Sequence, residues 1–297
     1  MEHTSHTTDL KQRLISDLFL LLAAAIWGLG FVAQRSASSY LGFFGFNGVR
    51  FLLASAALLP FVVKRLGSLR QNIRWMLLAG GILFTASALQ QAGLETTTAG
   101  SAGFITGVYV VLVPIILSLF WKQRSPAITW IAAAAALAGT YLLSTGGTRF
   151  NPSSGDLLVL AGSIAWALHV IVVGKAVQKM DVFAFSTGQY IVCGLLHMIM
   201  SIFVEPVTLT SLRSAWMEVI YAGLFSVALG FTFQGIGQRK APASDAALIL
   251  SLEAVFAAIA GVLFLQERMN WVQIIGCGII LAAILIAQLG VIRRGRG

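Results

Sequence analysis

The sequence predicts an all-α polytopic membrane protein: ten transmembrane helices, arranged as a 5+5 inverted repeat around a central cavity, with both termini cytoplasmic. Three observations predict it. The chain carries too little polar surface for water, it falls into apolar runs of spanning length, and its second half repeats its first. Of 297 residues, 58% are apolar and only 10% charged, with a mean hydropathy of +0.86. A soluble domain carries about 25% charged residues. Lipid removes the need for a polar exterior.

A spanning helix needs about 20 apolar residues. The runs that meet this are 17–34, 43–63, 73–93, 97–120, 127–144, 156–174, 182–203, 215–236, 243–265 and 271–290. The first, whose apolar core reaches from Leu18 to Val32, is not closed by an A-x-A site, so it reads as a span and not as a cleaved signal. Pro126, Pro152, Pro206 and Pro242 fall in joints and Pro60 at a helix end, while Pro114 lies deep in the fourth span, where a kink is expected. The joints leave no room for a soluble domain. The longest, from Ser144 to Asp156, is rich in turn residues and divides the chain into an N-terminal half, 1–146, and a C-terminal half, 147–297.

Lysine and arginine set the orientation. With the N-terminus inside, the inner segments hold fifteen of the twenty, among them Lys11, Arg13, Lys64, Arg65, Lys122, Lys175, Lys179, Arg239, Lys240 and Arg293. That asymmetry supports two cytoplasmic termini and an even number of spans. A net charge of +9 would suggest nucleic acid in a soluble protein, but these charges sit in short loops between apolar runs, so nucleic acid is excluded as a partner. Cys193 and Cys277 lie in apolar runs and suggest neither a disulfide nor a metal site.

The two halves are alike. Ala99-Gly-Ser-Ala-Gly-Phe aligns with Ala243-Ser-Asp-Ala-Ala-Leu at a separation of 144, and Ala25-Ile-Trp aligns with Ile164-Ala-Trp at 139. Five helices per half is an odd number, so the second half enters the membrane inverted. Such repeats mark many secondary transporters, whose substrate site lies between them near the midplane. Gly103 and Gly107 of the fourth span, with Ala247 and Ser251 of the ninth, form small-xxx-small pairs that predict close helix packing.

Read together, Ala25-Ile-Trp-Gly-Leu-Gly-Phe, Asn47-Gly-Val-Arg-Phe, Leu94-Glu-Thr-Thr-Thr-Ala-Gly-Ser-Ala-Gly-Phe and Leu265-Gln-Glu-Arg-Met-Asn-Trp resemble the drug/metabolite transporter superfamily, in its ten-helix branch of EamA-like exporters. The resemblance covers essentially the whole chain. It implies a basket of ten helices, a cavity lined by spans one, three, four, six, eight and nine, alternating access, and outward transport of amino acids or other small metabolites. The Glu-Arg pair that commonly precedes the last helix of each half is kept at Glu267-Arg268 but reads Gln123-Arg124 in the first half, which favours a helix-end structural role for it.

A charge in the bilayer core costs about 2.5–3.5 kcal/mol on insertion scales, so each one present asks for a reason. Glu253 lies near the midplane of span nine. It reads either as a proton carrier or ammonium anchor, since carboxyls in apolar sites can exchange protons near neutrality, or as a structural carboxyl. Arg50 in span two reads as a substrate-carboxylate ligand or, preferably, as a clamp holding its helix; it could also pair with Glu253. His169 is a cavity candidate, and His197 reads as a packing residue. Trp27 and Trp166 are deep and repeat-related, unlike the interfacial Trp75, Trp121, Trp216 and Trp271. They could form opposite walls of a cavity, with Gln90, Tyr109 and Gln234 as polar candidates. Gln189 matches Arg50 at the 139 separation.

These readings predict a secondary transporter exporting a small metabolite, an amino acid above all, across a bacterial inner membrane, without cofactor or metal. Protons are a possible partner, and a monomer is compatible with the sequence. Uptake, facilitated passage and efflux of drugs or cations are the alternatives. No G-x-x-x-x-G-K-[ST] loop is present for ATP. The chain lacks H-E-x-x-H and paired intramembrane aspartates, which argues against an enzyme.

Overall fold

The structure is a computed structural model that describes the backbone of residues 2–63, 72–123, 125–149, 152–265 and 268–294. Among the described residues nine helices are long and apolar enough to cross a membrane: Gln12–Ala37, Phe43–Val62, Ile73–Leu94, Ser101–Trp121, Ala127–Thr145, Ser154–Ala176, Val182–Val204, Trp216–Gly237 and Ala243–Ala260. They are called spans one to nine below. A final helix follows, Trp271–Arg294, whose described apolar part is Trp271–Ala287. The predicted runs and these helices agree within a few residues. The first helix is the exception, running from Glu2 rather than from residue 17, because a helix can continue past the bilayer on polar residues. Glu267 and Arg124 of the Glu-Arg motifs lie outside the described residues.

Helix starts follow from local chemistry. Ser153 accepts from the Asp156 amide while Asp156 accepts from the Ser153 amide, a reciprocal cap for span six. Asp181 caps span seven through the Ala184 amide, and Thr98 caps the helix at Ala99 through the Ser101 amide. Span five ends at Gly146, whose φ of 58° is the left-handed conformation that glycine adopts cheaply. Outward side chains are apolar, with Phe203 81% and Trp271 79% exposed. In water such a surface would aggregate, whereas in lipid it is solvated.

The spans pack in a definite order. Span two lies along seven, span three along six, and span five along the final helix, while span one contacts eight and nine. A very close crossing joins span five to the final helix. There a Cβ on Gly139 would meet the Gly276 carbonyl at 2.7 Å, and one on Gly276 the Gly139 carbonyl at 2.6 Å. Only glycine permits that approach.

Three spans are irregular. Span four breaks between Ala99–Thr106 and Tyr109–Trp121, and span nine between Ala243–Leu250 and Glu253–Leu265. All four pairs of bounds stand 144 residues apart. The expected kink near Pro114 therefore appears as a break upstream of it, at Gly107-Val108. In span eight, Tyr221–Phe231 is π-helical, a rare conformation that is common at functional sites.

Candidate functional site

The irregular spans converge on one narrow cavity of about 50 Å³. It is lined by Trp27, Gln90, Tyr109, Trp166, His169, Gln234 and Glu253, all singled out from the sequence, and by Arg50. Phe31, Gln34, Thr106, Val170, Ser226 and Phe231 complete the lining.

Aromatic residues form its walls. Trp27 donates from Nε1 to the Ser226 carbonyl at 2.9 Å, and its indole sits against Gly230, where a Cβ would come within 2.5 Å of Nε1. Phe231 stands between the two tryptophans, 4.7 Å from Trp27 and stacked 5.8 Å from Trp166. Trp166 keeps its Nε1 unpartnered. His169 meets Phe231 edge-on at 5.6 Å, and its Nε2 lies 2.9 Å from Gln189 Oε1. That oxygen can only accept, so Nε2 is the donor, and Nδ1 has no partner.

The polar groups are poised and largely unused. Tyr109 and Glu253 each open the second segment of a broken span. The phenol lies beside the carboxyl, and the two can bond only to each other: neither Tyr109 OH nor Glu253 Oε1 has a further partner. Arg50 Nε, Thr106 Oγ1, Trp166 Nε1, His169 Nδ1 and Gln234 Oε1 have no hydrogen-bond partner. Arg50 and Glu253 are both 4% exposed and form no ion pair. Among the described residues the only ion pairs are Arg13–Asp17 and Arg13–Asp245. Arg50 instead sits between aromatic faces, its guanidinium carbon 5.0 Å from the Phe46 ring centroid and 5.2 Å from that of Phe51, a cation–π setting. Keeping an ionisable group buried without an ion-pair partner is costly.

Other residues fall elsewhere. His197 packs among Phe44, Phe51 and Phe84 and bonds the Cys193 carbonyl at 2.9 Å. Gly103 faces Phe31 and Gly107 faces Thr140, while Ala247 and Ser251 are buried in span nine. Sequence reasoning passed over Phe31 and Gln34, although they follow Trp27 at i+4 and i+7, the helical spacing that could have found them. Phe231 and Val170 are apolar residues in apolar runs and give no such signal.

A second, wider space, of about 550 Å³, opens at the end of the molecule that carries Arg239 and Lys240. Arg13, Lys175, Gln178, Gln238 and Asp245 are among its walls.

Comparison with known proteins agrees with this architecture. The profile of the EamA-like transporter family matches residues 14–145 and again residues 153–288. An uncharacterized transporter of Archaeoglobus fulgidus is 31% identical over 94% of this chain and 88% of its own. The uncharacterized inner membrane transporter YedA of Escherichia coli K12 is 23% identical over 89% and 88%, and the uncharacterized transporter YyaM of Bacillus subtilis 25% over 82% and 83%. A crystal structure 20% identical in sequence superposes with a TM-score of 0.80, covering 94% of this chain and 98% of that one, which shows a shared fold. The chain is a multi-span membrane transporter and belongs to the EamA-like transporter family.

Proposed function

We propose that this protein is a secondary transporter that moves a small metabolite, an amino acid in first place, across a bacterial inner membrane by alternating access, in the direction of export. The observation that carries the reading is the pair of buried ionisable groups outside any ion pair, Arg50 and Glu253, lining one aromatic-walled cavity. A zwitterion would present a carboxylate to one and an ammonium group to the other, with apolar contact from Trp27, Trp166 and Phe231. Glu253 would then serve as anchor or as proton carrier.

The cavity would sit between two inverted halves, 1–146 and 147–297, of five helices each, with the final helix as the tenth span and both termini cytoplasmic. The double family match and the breaks 144 residues apart in spans four and nine support that division. The name of the Escherichia coli relative supports the inner membrane.

The test is flux into proteoliposomes with a panel of labelled amino acids and cationic drugs. Saturable flux that accelerates with substrate on the far side is the expected result for an amino acid. Flux confined to the cationic drugs would move the assignment to drug efflux, and product formation would make the protein an enzyme.

A further inference from the structure

We infer that Gln34 and Gln238 close the two mouths of the cavity, each acting as an uncharged bolt between the first and third spans of its half. The inference rests on the carrier reading above and adds the residues that separate its states.

At one end, Gln34 of span one is buried, and two glutamines of span three converge on it. Gln90 Nε2 donates to its side-chain Oε1 at 3.4 Å and Gln91 Nε2 to its backbone carbonyl at 2.9 Å. Gln34 Nε2 in turn donates to the Gly30 carbonyl at 3.3 Å. At the other end, Gln238 closes the end of span eight, the third of its half, and is 1% exposed. Its Oε1 receives Gln234 Nε2 at 3.0 Å, and its own Nε2 donates to the Val170 carbonyl of span six, the first of its half, at 2.9 Å. Gln90 and Gln234 are separated by 144 residues, as the breaks in spans four and nine are. Gln34 and Gln238 are not themselves repeat-related, but at each end one glutamine bond joins the first and third spans of a half.

The position of Gln238 gives the bolt its role. Gln234 and Val170 line the central cavity, whereas Gln238 lines the second space. The bonds among these three residues thus form the partition between the two spaces. The Arg13–Asp245 ion pair braces the same end from beyond the partition, on the wall of the second space. At the opposite end Gln34 precedes Arg35, whose guanidinium donates to the Leu94 carbonyl at the end of span three. Amides suit such closures. In apolar surroundings their hydrogen bonds hold firmly, yet opening strands no net charge.

The experiment reads opening without any substrate. A reporter cysteine replaces a cavity-lining serine, Ser226→Cys, in a background of Cys193→Ala and Cys277→Ala, and a membrane-impermeant maleimide is applied to reconstituted vesicles from either face. Gln238→Met, which keeps length but removes both amide bonds, is expected to raise the labelling rate about tenfold from the face bearing Arg239 and Lys240 and to leave the other face unchanged. Gln34→Met is expected to do the converse. Gln238→Glu retains the acceptor for Gln234 but loses the donor to Val170, and should give a smaller rise on the same face. Equal rises on both faces, no change, or a rise in only one of the two methionine variants overturns the paired closure. Labelling after denaturation shows that each variant carries a reactive thiol. Face-specific labelling together with absent amino-acid flux would defeat the substrate assignment alone.

Discussion

Tyr109 and Glu253 occupy equivalent places: 144 residues apart, each is the first residue of the second segment of a broken span, and the two side chains lie beside each other at one cavity. A continuous helix would have kept its turns regular through this level. The breaks instead bring a phenol and a carboxyl together at the centre of a membrane protein, where neither Tyr109 OH nor Glu253 Oε1 has a partner beyond the other.

That placement predicts a separable role for the carboxyl. Glu253→Gln keeps size and polarity but cannot carry a proton. Counterflow exchange in proteoliposomes should persist, while accumulation driven by a pH gradient should fall to the level of empty vesicles. Unchanged pH-driven accumulation in this variant would remove Glu253 as the coupling group.

Gly230 predicts a second effect through its neighbour. Even one methyl group there would collide with the Trp27 indole. Gly230→Ala should therefore tilt the ring and break its bond to the Ser226 carbonyl, raising the KM for transport about tenfold. The partner variant Trp27→Phe, which lacks the donor, should raise KM similarly, and adding Gly230→Ala to it should cost little more. Additive losses would mean that Gly230 acts elsewhere.

The ion pair between Arg13 and Asp245, at 2.6 Å with side chains 16% and 15% exposed, ties span one to span nine. Arg13 also donates to the Lys240 carbonyl at 3.1 Å. Asp245→Asn should lower stability in detergent by about 1–2 kcal/mol, since the site is only partly shielded from solvent. A double-mutant cycle with Arg13→Gln should return a coupling of the same order, and a cycle with no coupling would show the pair to be incidental.

Glu205 gives a pH dependence outside the spans. Its carboxyl accepts from the Phe44 amide at the start of span two, where Gly42 supplies no side-chain cap. Burial pushes its proton affinity above the usual carboxylate value of 4.5, more than the amides of Phe44 and Gly45 push it down. The folded protein therefore holds this proton more tightly than the unfolded chain. The contribution is complete below pH 4.5 and lost as pH rises through the folded value. Thermal stability of Glu205→Gln should lack this decline, so the difference between variant and wild type should grow from pH 4 toward pH 7. A constant difference would contradict it.

The membrane fold was readable because lipid imposes simple demands. Spanning length and scarce charge placed every span within a few residues, except the start of the first, and missed only the short helix Leu209–Ser214 between spans seven and eight. The same scarcity exposed much of the site: Glu253, Arg50, His169 and the two deep tryptophans stand out because each is costly or bulky in hydrocarbon. Phe231, which touches both tryptophans, is one of 19 phenylalanines and offers no contrast. The π-helical segment around it follows no residue pattern that distinguishes it from an ordinary span. The break at Ser251-Leu252 contains neither glycine nor proline, so it too was invisible, though Gly107 marks its counterpart. An ion pair between Arg50 and Glu253 was one arrangement open to the sequence. In the fold Arg50 turns toward Phe46 and Phe51 instead.

The Gly139–Gly276 crossing bears on how such a molecule can move. Backbones that touch through carbonyl and Cα, with no side chains between them, have little room to slide. They can still tilt about the point of contact. Span five and the final helix, neither of which lines the central cavity, therefore have the properties of a pivot. Motion at the cavity would be largest where the lever is longest, far from these two glycines, and the strain of each cycle would be concentrated where a single added methyl group could jam it.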